Sequence, residues 1–142
     1  MFDLPVSGVI DKKKTLMAPP ETTVAEAAEL MAKKNVGAVM VVEKDCLIGI
    51  FTERDAVFRV IAVGLDPRAT RLADVMTKSP LTVDPDKSFG YALLIMHENG
   101  FRHVPVIKNG KPVGIISARN ALDPDLDEFT CEVNRRKHIR DR

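Results

Sequence analysis

The hydrophobic and polar positions of the chain repeat the same order twice. A helical pattern of apolar residues starts at Thr23, where a Glu three residues later completes a capping box, and a second pattern starts at Ser88. Each helix is followed by two short apolar runs whose spacers, EKD and KNG, are short enough for β-hairpins. A further helix begins at Thr52 in the first copy, and a shorter one begins at Ser117 in the second. Each copy is therefore predicted to contain an extended lead-in segment, a helix, two strands and a helix.

An internal repeat explains this doubled pattern. Sliding the chain against itself by 65 positions aligns residues 15–57 with 80–122 without a gap, and ten of the 43 pairs are identical. A copy of about 50 residues leaves too much surface wet to bury its helices alone, so the two copies are predicted to pack sheet to sheet in an α+β fold. The predicted organisation is a leader at 1–14, a first repeat at 15–64, a linker at 65–79, a second repeat at 80–123 and a helical tail at 124–142.

Composition and charge narrow the functional class. With 45% hydrophobic residues, 29% charged residues and a net charge of +1, the chain has the composition of a globular protein without a global attraction to nucleic acid or lipid. No apolar run reaches the roughly 20 residues of a membrane span, and the first residues lack the order of a signal peptide, so a cytoplasmic location is expected. Three scattered histidines, the lack of a nucleophile motif and the lack of metal-ligand spacing argue against an enzyme.

Two matched motifs end the strand pairs, GIFTERD at 49–55 and GIISARN at 114–120. Together with VMTKSPLTVDPD at 75–86 and GFRHVPV at 100–106, they resemble the tandem cystathionine-β-synthase-type (CBS) domain pair, or Bateman module, from residue 15 to about residue 122. The resemblance implies a pseudo-twofold disc whose clefts bind an adenosine-containing ligand, namely AMP, ADP, ATP, NAD or S-adenosylmethionine. It also implies sensing rather than catalysis, so the nucleotide is expected as a regulatory ligand and no catalytic cofactor is expected.

The family pattern implies roles for individual residues of this chain. Asp55 would accept hydrogen bonds from the ribose hydroxyls, while Arg102 and His103 would meet phosphate. The alternatives are that Asp55 completes a capping box with Thr52, and that Arg102 and His103 are an exposed ion-pair partner and a half-buried strand residue. Pro105 argues for an edge strand or a bulge beside the ligand. The expected ligand-binding residues are Thr15, Met17, Ala38, Thr52, Arg54, Asp55, Pro80, Thr82, Arg102, His103, Pro105, Ser117, Arg119 and Asn120.

The acid that ends the first motif is an amide in the second. Asn120 offers one acceptor and one donor where Asp55 offers two charged acceptors, and charge-assisted hydrogen bonds are roughly twice as strong as neutral ones. Two sites of unequal strength are therefore predicted, with Asp55 at the stronger one. The substitution Asp55→Ala is expected to weaken binding more than Asn120→Ala.

Two hypotheses follow for the function. The first is a stand-alone adenine-nucleotide sensor, a homodimer that signals to a regulated protein partner through a change in the geometry of its lobes. The alternative is an assembly or interaction module whose clefts are vestigial and whose motifs are helix caps. Residues 123–142 are expected to form a docking or dimer-contact helix rather than a nucleic-acid arm, because their six acids offset their five bases.

Overall fold

The computed structural model describes residues 2–121, which form two β-sheets with helices packed against them. The elements are β1 (Met17–Ala18), α1 (Val24–Lys34), β2 (Ala38–Glu43), β3 (Cys46–Thr52), α2 (Glu53–Asp55), α3 (Leu72–Val75), β4 (Thr77–Lys78), α4 (Phe89–Asn99), β5 (His103–Lys108) and β6 (Lys111–Ser117). Helix α2 continues as a π-helix over Ala56–Ile61, and 3-10 turns lie at Val6–Gly8, Lys12–Lys14 and Ala118–Ala121. The predicted α+β fold class is confirmed, whereas the predicted tail helix lies outside the described residues. Among the helices of residues 2–121, none has the length and apolar character that crossing a bilayer requires.

The elements of the two repeats stand 65 positions apart, as the sequence alignment predicts. This spacing relates both ends of α1 to α4, of β2 to β5 and of β3 to β6. Both long helices begin at the predicted residue: Oγ1 of Thr23 accepts the N–H of Glu26 at 3.2 Å, and Oγ of Ser88 accepts the N–H of Tyr91 at 3.1 Å. Each bond satisfies one N–H that the helix itself leaves without a partner.

The two hairpins close with the same turn geometry. Lys44 and Asp45 join β2 to β3 with φ of 52° and 65°, and Asn109 and Gly110 join β5 to β6 with φ of 54° and 79°. Positive φ at both turn residues matches the right-handed twist of the flanking strands, and Asn-Gly adopts this conformation at little cost. The hairpins predicted from the EKD and KNG spacers are therefore present.

The two sheets differ in their number of strands. The first has the order β1-β2-β3-β4, with β1 parallel to β2, whereas the second contains β5 and β6 and only an isolated parallel bridge from Val83 to Val106. Pro105 accounts for much of this difference. At the equivalent position of the first repeat, Met40 donates its N–H to the carbonyl oxygen of Leu16 at 2.9 Å, a bond for which proline has no N–H.

Pro105 lies on β5, an edge strand of the two-stranded second sheet. It is fully buried, it pairs with Ile115 on β6, and on its other side its carbonyl oxygen accepts the N–H of Val83 at 3.0 Å. The edge or bulge predicted for Pro105 is therefore found, since only an isolated bridge from the segment around Val83 lies on that side of β5. The register shift of β5 follows the proline, between Val106 and Ile107.

Each repeat has its own hydrophobic core. The largest fully buried side chains are Phe51 in the first core and Phe89 in the second. Burying side chains of this size stabilises the fold by about 1.5–3 kcal/mol each. Because the helices α1 and α4 turn equivalent apolar faces toward these cores, six of the eight residues that the helical pattern places on those faces are buried: Val24, Ala27, Met31, Phe89, Ala92 and Met96. Of the other two, Ala28 is exposed and Leu93 is half-buried.

The segment that precedes each repeat packs on the other repeat. Val6 is fully buried in the second core and donates its N–H to the carbonyl oxygen of Lys87 at 2.8 Å. Leu72 is fully buried in the first core and donates its N–H to the carbonyl oxygen of Thr22, also at 2.8 Å. Residues that the sequence analysis treats as leader and linker therefore complete the two cores.

The segments that pack on the opposite repeat, which we call the crossing segments, pass close to the sheets at two equivalent glycines. A Cβ on Gly114 would overlap Ile10, and a Cβ on Gly49 would overlap Met76. Only glycine permits this approach without displacing the crossing side chain. The glycine that opens each terminal motif therefore has a packing role that is independent of any ligand.

Candidate functional site

A cavity of about 150 Å³, which we call the Asn120 cleft, opens between the repeats beside the starts of β2 and β5 and the end of β6. Six residues predicted from the sequence line it: Ala38, Arg102, His103, Ser117, Arg119 and Asn120. Eight residues that were not predicted line it as well: Asp11, Lys14, Asn35, Val36, Gly37, Glu53, Ile115 and Ala118. The cleft therefore draws on the first repeat, the second repeat and the crossing N-terminal segment.

Ser117 and Asn120 hold each other at the end of β6. The N–H of Ser117 donates to Oδ1 of Asn120 at 2.6 Å, and the Ser117 hydroxyl oxygen accepts the N–H of Arg119 at 3.1 Å. Within residues 2–121, Nδ2 of Asn120 donates to no protein acceptor. The amide and the hydroxyl proton of Ser117 can therefore donate to a ligand in the cleft.

The rim of the Asn120 cleft carries more positive than negative side chains. The cations are Lys14, Arg102 and Arg119, and the anions are Asp11 and Glu53. All five are exposed. Nη1 of Arg119 also donates to the carbonyl oxygen of Asn35 at 3.3 Å, which links the second repeat to the end of α1. Because guanidinium groups can bind two oxygens of one phosphate, this rim suits an anionic ligand.

His103 is the half-buried titratable group of the cleft. Burial lowers the pKa of His103 below its ordinary value of 6.5, the carboxylate of Glu53 opposes this by raising the pKa, and Arg119 and Arg102 lower it. His103 is therefore mostly neutral at pH 7. In that state one ring nitrogen donates and the other accepts.

Gly37 allows His103 and Glu53 to approach each other from different repeats. The point that a Cβ on Gly37 would occupy lies 2.9 Å from Oε1 of Glu53 and 3.2 Å from Nε2 of His103. The N–H of Glu53 also donates to the carbonyl oxygen of Gly37 at 2.9 Å. A larger residue at this position would displace one or both of these side chains.

Asp55 caps the helix that follows the first motif. Oδ2 of Asp55 accepts the N–H of Thr52 at 3.0 Å, and Oγ1 of Thr52 accepts the N–H of Asp55 at 3.2 Å, which completes a capping box. Oδ1 lies 3.6 Å from Nε of Arg59, and Asp55 is only 8% exposed. Both carboxylate oxygens are thus engaged within the protein, in the geometry that the sequence analysis offers as the alternative to ribose binding. A cap of this kind stabilises a protein by about 0.5–2 kcal/mol.

The remaining predicted residues lie outside the lining of the Asn120 cleft. They are Thr15, Met17, Thr52, Arg54, Asp55, Pro80, Thr82 and Pro105. The guanidinium carbon of Arg54 lies 4.6 Å from the ring centre of Phe58, and the Thr15 hydroxyl donates to the carbonyl oxygen of Asp11 at 3.2 Å. A ligand role for these eight residues stays a prediction.

Three charged residues that line the cleft were not predicted from the sequence: Asp11, Lys14 and Glu53. Asp11 and Lys14 belong to the N-terminal crossing segment, which an alignment without gaps leaves unmatched. A shift of 66 positions instead of 65 pairs Val6 with Leu72 and would have shown that the two segments are equivalent. Glu53 is visible inside GIFTERD, but nothing in its spacing shows that it lines the same cleft as the second motif.

Known proteins share this architecture. The CBS domain family matches residues 6–62 and 72–125. The uncharacterized protein YlbB of Bacillus subtilis is 42% identical over 111 residues, which cover 77% of this chain and 72% of YlbB. A conserved protein of Pyrococcus horikoshii has a crystal structure with a TM-score of 0.80, 30% identity and coverage of 88% of this chain and 94% of its own. A CBS domain protein of Pyrobaculum aerophilum, complexed with AMP, has a TM-score of 0.75, 26% identity and coverage of 82% and 89%.

Other curated relatives are much longer than the matching region. The chain spans 16%, 60%, 20% and 61% of the lengths of four of them. Among the proteins compared are ones described as CBS domain-containing, signal-transduction or uncharacterized proteins. Because the family matches most of the chain in two copies, and because both copies have the same fold, this chain belongs to the CBS domain family as a tandem CBS pair.

Proposed function

We propose that this chain is a non-catalytic regulatory module that binds an adenosine-containing nucleotide in the Asn120 cleft. Binding would change the geometry of the two repeats and so a surface that the module offers to a regulated partner. The proposal rests mainly on one observation: residues of the second terminal motif and three cationic side chains line the same cavity between the repeats. The AMP complex of the P. aerophilum protein supports the class of ligand.

The cleft offers side chains that suit the ribose, the phosphate and the base of a nucleotide. The Ser117 hydroxyl and Nδ2 of Asn120 suit the ribose hydroxyls, because both can donate hydrogen bonds. Arg102 suits the phosphate oxygens, because its planar guanidinium matches their geometry. Val36 and Ile115 offer apolar contact for the base.

The size and charge of the cleft favour a ligand with a single phosphate. Its volume of about 150 Å³ is too small to enclose a whole nucleotide, so a larger ligand such as ATP or NAD would leave more of its atoms outside the cleft than AMP would. Its three cationic and two anionic side chains leave a small positive excess while His103 is neutral. We therefore propose AMP as the preferred ligand over ATP or NAD.

This assignment reverses the order of the two sites predicted from the sequence. That prediction credits Asp55 with two acceptors, whereas its oxygens face Thr52 and Arg59. Asn120 uses only Oδ1 within the described residues and keeps its donor. We propose that the Asn120 cleft is the principal site and that the first motif serves mainly as a helix cap.

A second candidate function is an assembly module with vestigial ligand sites. The capping box at Asp55 favours it for the first repeat, and so does the apolar surface on the π-helix that follows. There Val57, Phe58 and Ile61 are 49%, 58% and 70% exposed. We propose that this surface packs against a second copy of the chain in a homodimer, a role that is compatible with nucleotide sensing.

A thermal-shift panel tests the proposed function. AMP at a hundredfold excess over its Kd adds about 2.7 kcal/mol to the stability of the native state, which raises Tm by roughly 5–15 °C in a chain of this size. GMP and inorganic phosphate at the same concentration serve as controls for the base and the anion. An unchanged Tm with AMP, ATP, NAD and S-adenosylmethionine alike would exclude nucleotide binding and leave the assembly module as the better candidate.

A further inference from the structure

We infer that Glu53 and His103 act as a proton-accepting pair in the Asn120 cleft, so that the cleft takes up one proton together with a phosphate dianion. The inference rests on the proposed function, because it concerns the same cleft and gives the charge state in which the ligand is bound. It also makes ligand affinity depend on pH.

Glu53 and His103 lie where the two repeats contact each other, a place that we call the seam. Glu53 opens α2 in the first repeat, and His103 opens β5 in the second. Both side chains approach Gly37, where Oε1 of Glu53 and Nε2 of His103 lie 2.9 Å and 3.2 Å from the position of a missing Cβ, and within residues 2–121 no hydrogen bond or ion pair joins them directly. Both side chains also line the cavity, so a ligand there lies within electrostatic range of both titratable groups.

Of the two equivalent places in residues 2–121, only one carries the pair. At a spacing of 65 positions, Ala118 stands where Glu53 stands, and Ala38 stands where His103 stands. The backbone of the two places is nevertheless the same, since the N–H of Ala118 donates to the carbonyl oxygen of Arg102 at 2.8 Å, as that of Glu53 does to Gly37. The backbone is therefore the same at both equivalent places, but only one of them carries an acidic side chain and a histidine.

The surroundings of His103 determine the direction of the effect. Burial, Arg119 and Arg102 favour its neutral form, while Glu53 favours the imidazolium, and Lys14 and Asp11 complete the charged lining. In the ligand-free cleft burial prevails, because the pKa of His103 lies below its ordinary value. A bound phosphate dianion adds two negative charges and offsets Arg102 and Arg119. The imidazolium then becomes the favoured form, in which His103 donates to the phosphate while the carboxylate of Glu53 stabilises its charge.

The sign of the linkage follows from this shift. Because the pKa of His103 is lower in the free protein than in the complex, binding takes up a proton, and affinity rises as pH falls toward the free pKa. Uptake of one proton limits the change to about tenfold per pH unit. Between pH 8 and pH 6.5 the phosphate itself stays largely dianionic, since its second pKa is about 6.

Calorimetric titration with AMP, in two buffers of different ionisation enthalpy, measures the proton uptake. We expect wild-type protein to take up a substantial fraction of one proton at pH 7 and to bind AMP several-fold more tightly at pH 6.5 than at pH 8. His103→Gln, which keeps a hydrogen-bonding side chain without a titrating ring, is expected to show little uptake and an almost flat pH dependence. Equal proton uptake in wild type and His103→Gln would overturn the inference and leave the proposed function standing.

Glu53→Gln gives a second test at an exposed position, where substitutions usually change stability little. We expect it to bind AMP more tightly than wild type at pH 8, because a repelling charge is gone, and to bind with a smaller pH dependence. In ligand-free protein, an NMR titration should show a lower pKa of His103 in Glu53→Gln than in wild type. An unchanged His103 pKa would overturn the pairing itself. If neither AMP nor inorganic phosphate gives heat at any pH, the proposed function and the inference are both wrong.

Discussion

Val6→Asp is expected to lower the free energy of unfolding by about 3–5 kcal/mol, although Val6 lies outside both aligned repeats. The side chain is fully buried in the second core among residues of α4, β5 and β6. The substitution removes the burial of a valine, which is worth about 1.5–3 kcal/mol. It also places a carboxylate in an apolar site, where desolvation costs several kcal/mol more or forces the segment to detach.

Ser7→Asp is the matched control for this experiment. Ser7 is the next residue of the same segment, its side chain is exposed, and surface substitutions usually change stability by less than about 0.5 kcal/mol. Urea unfolding followed by circular dichroism measures both variants. Equal stability of Val6→Asp and Ser7→Asp would mean that the N-terminal segment does not belong to the second core.

Arg102→Ala is expected to raise the Kd for AMP by about ten- to a hundredfold. Arg102 is a cation of the Asn120 cleft in the position proposed for phosphate contact. Hydrogen bonds to charged groups contribute about 1.5–3 kcal/mol, and 1.4 kcal/mol corresponds to a tenfold change in affinity. Because Arg102 is exposed, its loss should leave the fold intact, so calorimetric titration reports binding alone.

Arg54→Ala is the control for loss of an arginine. Arg54 is also exposed, but its guanidinium stacks on Phe58, away from the lining of the cleft. We expect its Kd for AMP to stay within about twofold of wild type, because Arg54 does not line the cleft and salt weakens the effect of an exposed charge. Equal losses in the two variants would contradict the placement of the phosphate at Arg102.

The fold could be predicted largely because the repeat is local and regular. Helical spacing, capping residues and turn residues recur 65 positions apart, and the structure keeps that spacing in both long helices and both hairpins. The 65-residue spacing does not predict that the segments around Val6 and Leu72 each pack on the opposite repeat. Those segments pair at 66 positions, and their burial depends on a contact with the opposite repeat that no local pattern encodes.

The candidate site could be predicted only in part, for a related reason. The second motif and the segment GFRHVPV belong to the same repeat and both contribute to the cleft. The family resemblance therefore predicts Arg102, His103 and Asn120, which line it. Glu53 comes from the other repeat, and only the folded arrangement at the seam brings it there. The capping role of Asp55 was visible as an alternative, but the choice depends on where its two oxygens point.

A crystal structure of the protein with AMP, at a concentration that saturates the thermal shift, locates the ligand. The proposed function predicts electron density for AMP in the Asn120 cleft, with the ribose beside Asn120 and a phosphate oxygen at roughly 2.7–3.2 Å from the Arg102 guanidinium. It also predicts that the capping box of Asp55 stays closed. AMP bound at Asp55 while the Asn120 cleft holds none would contradict this assignment and restore the order of sites predicted from the sequence.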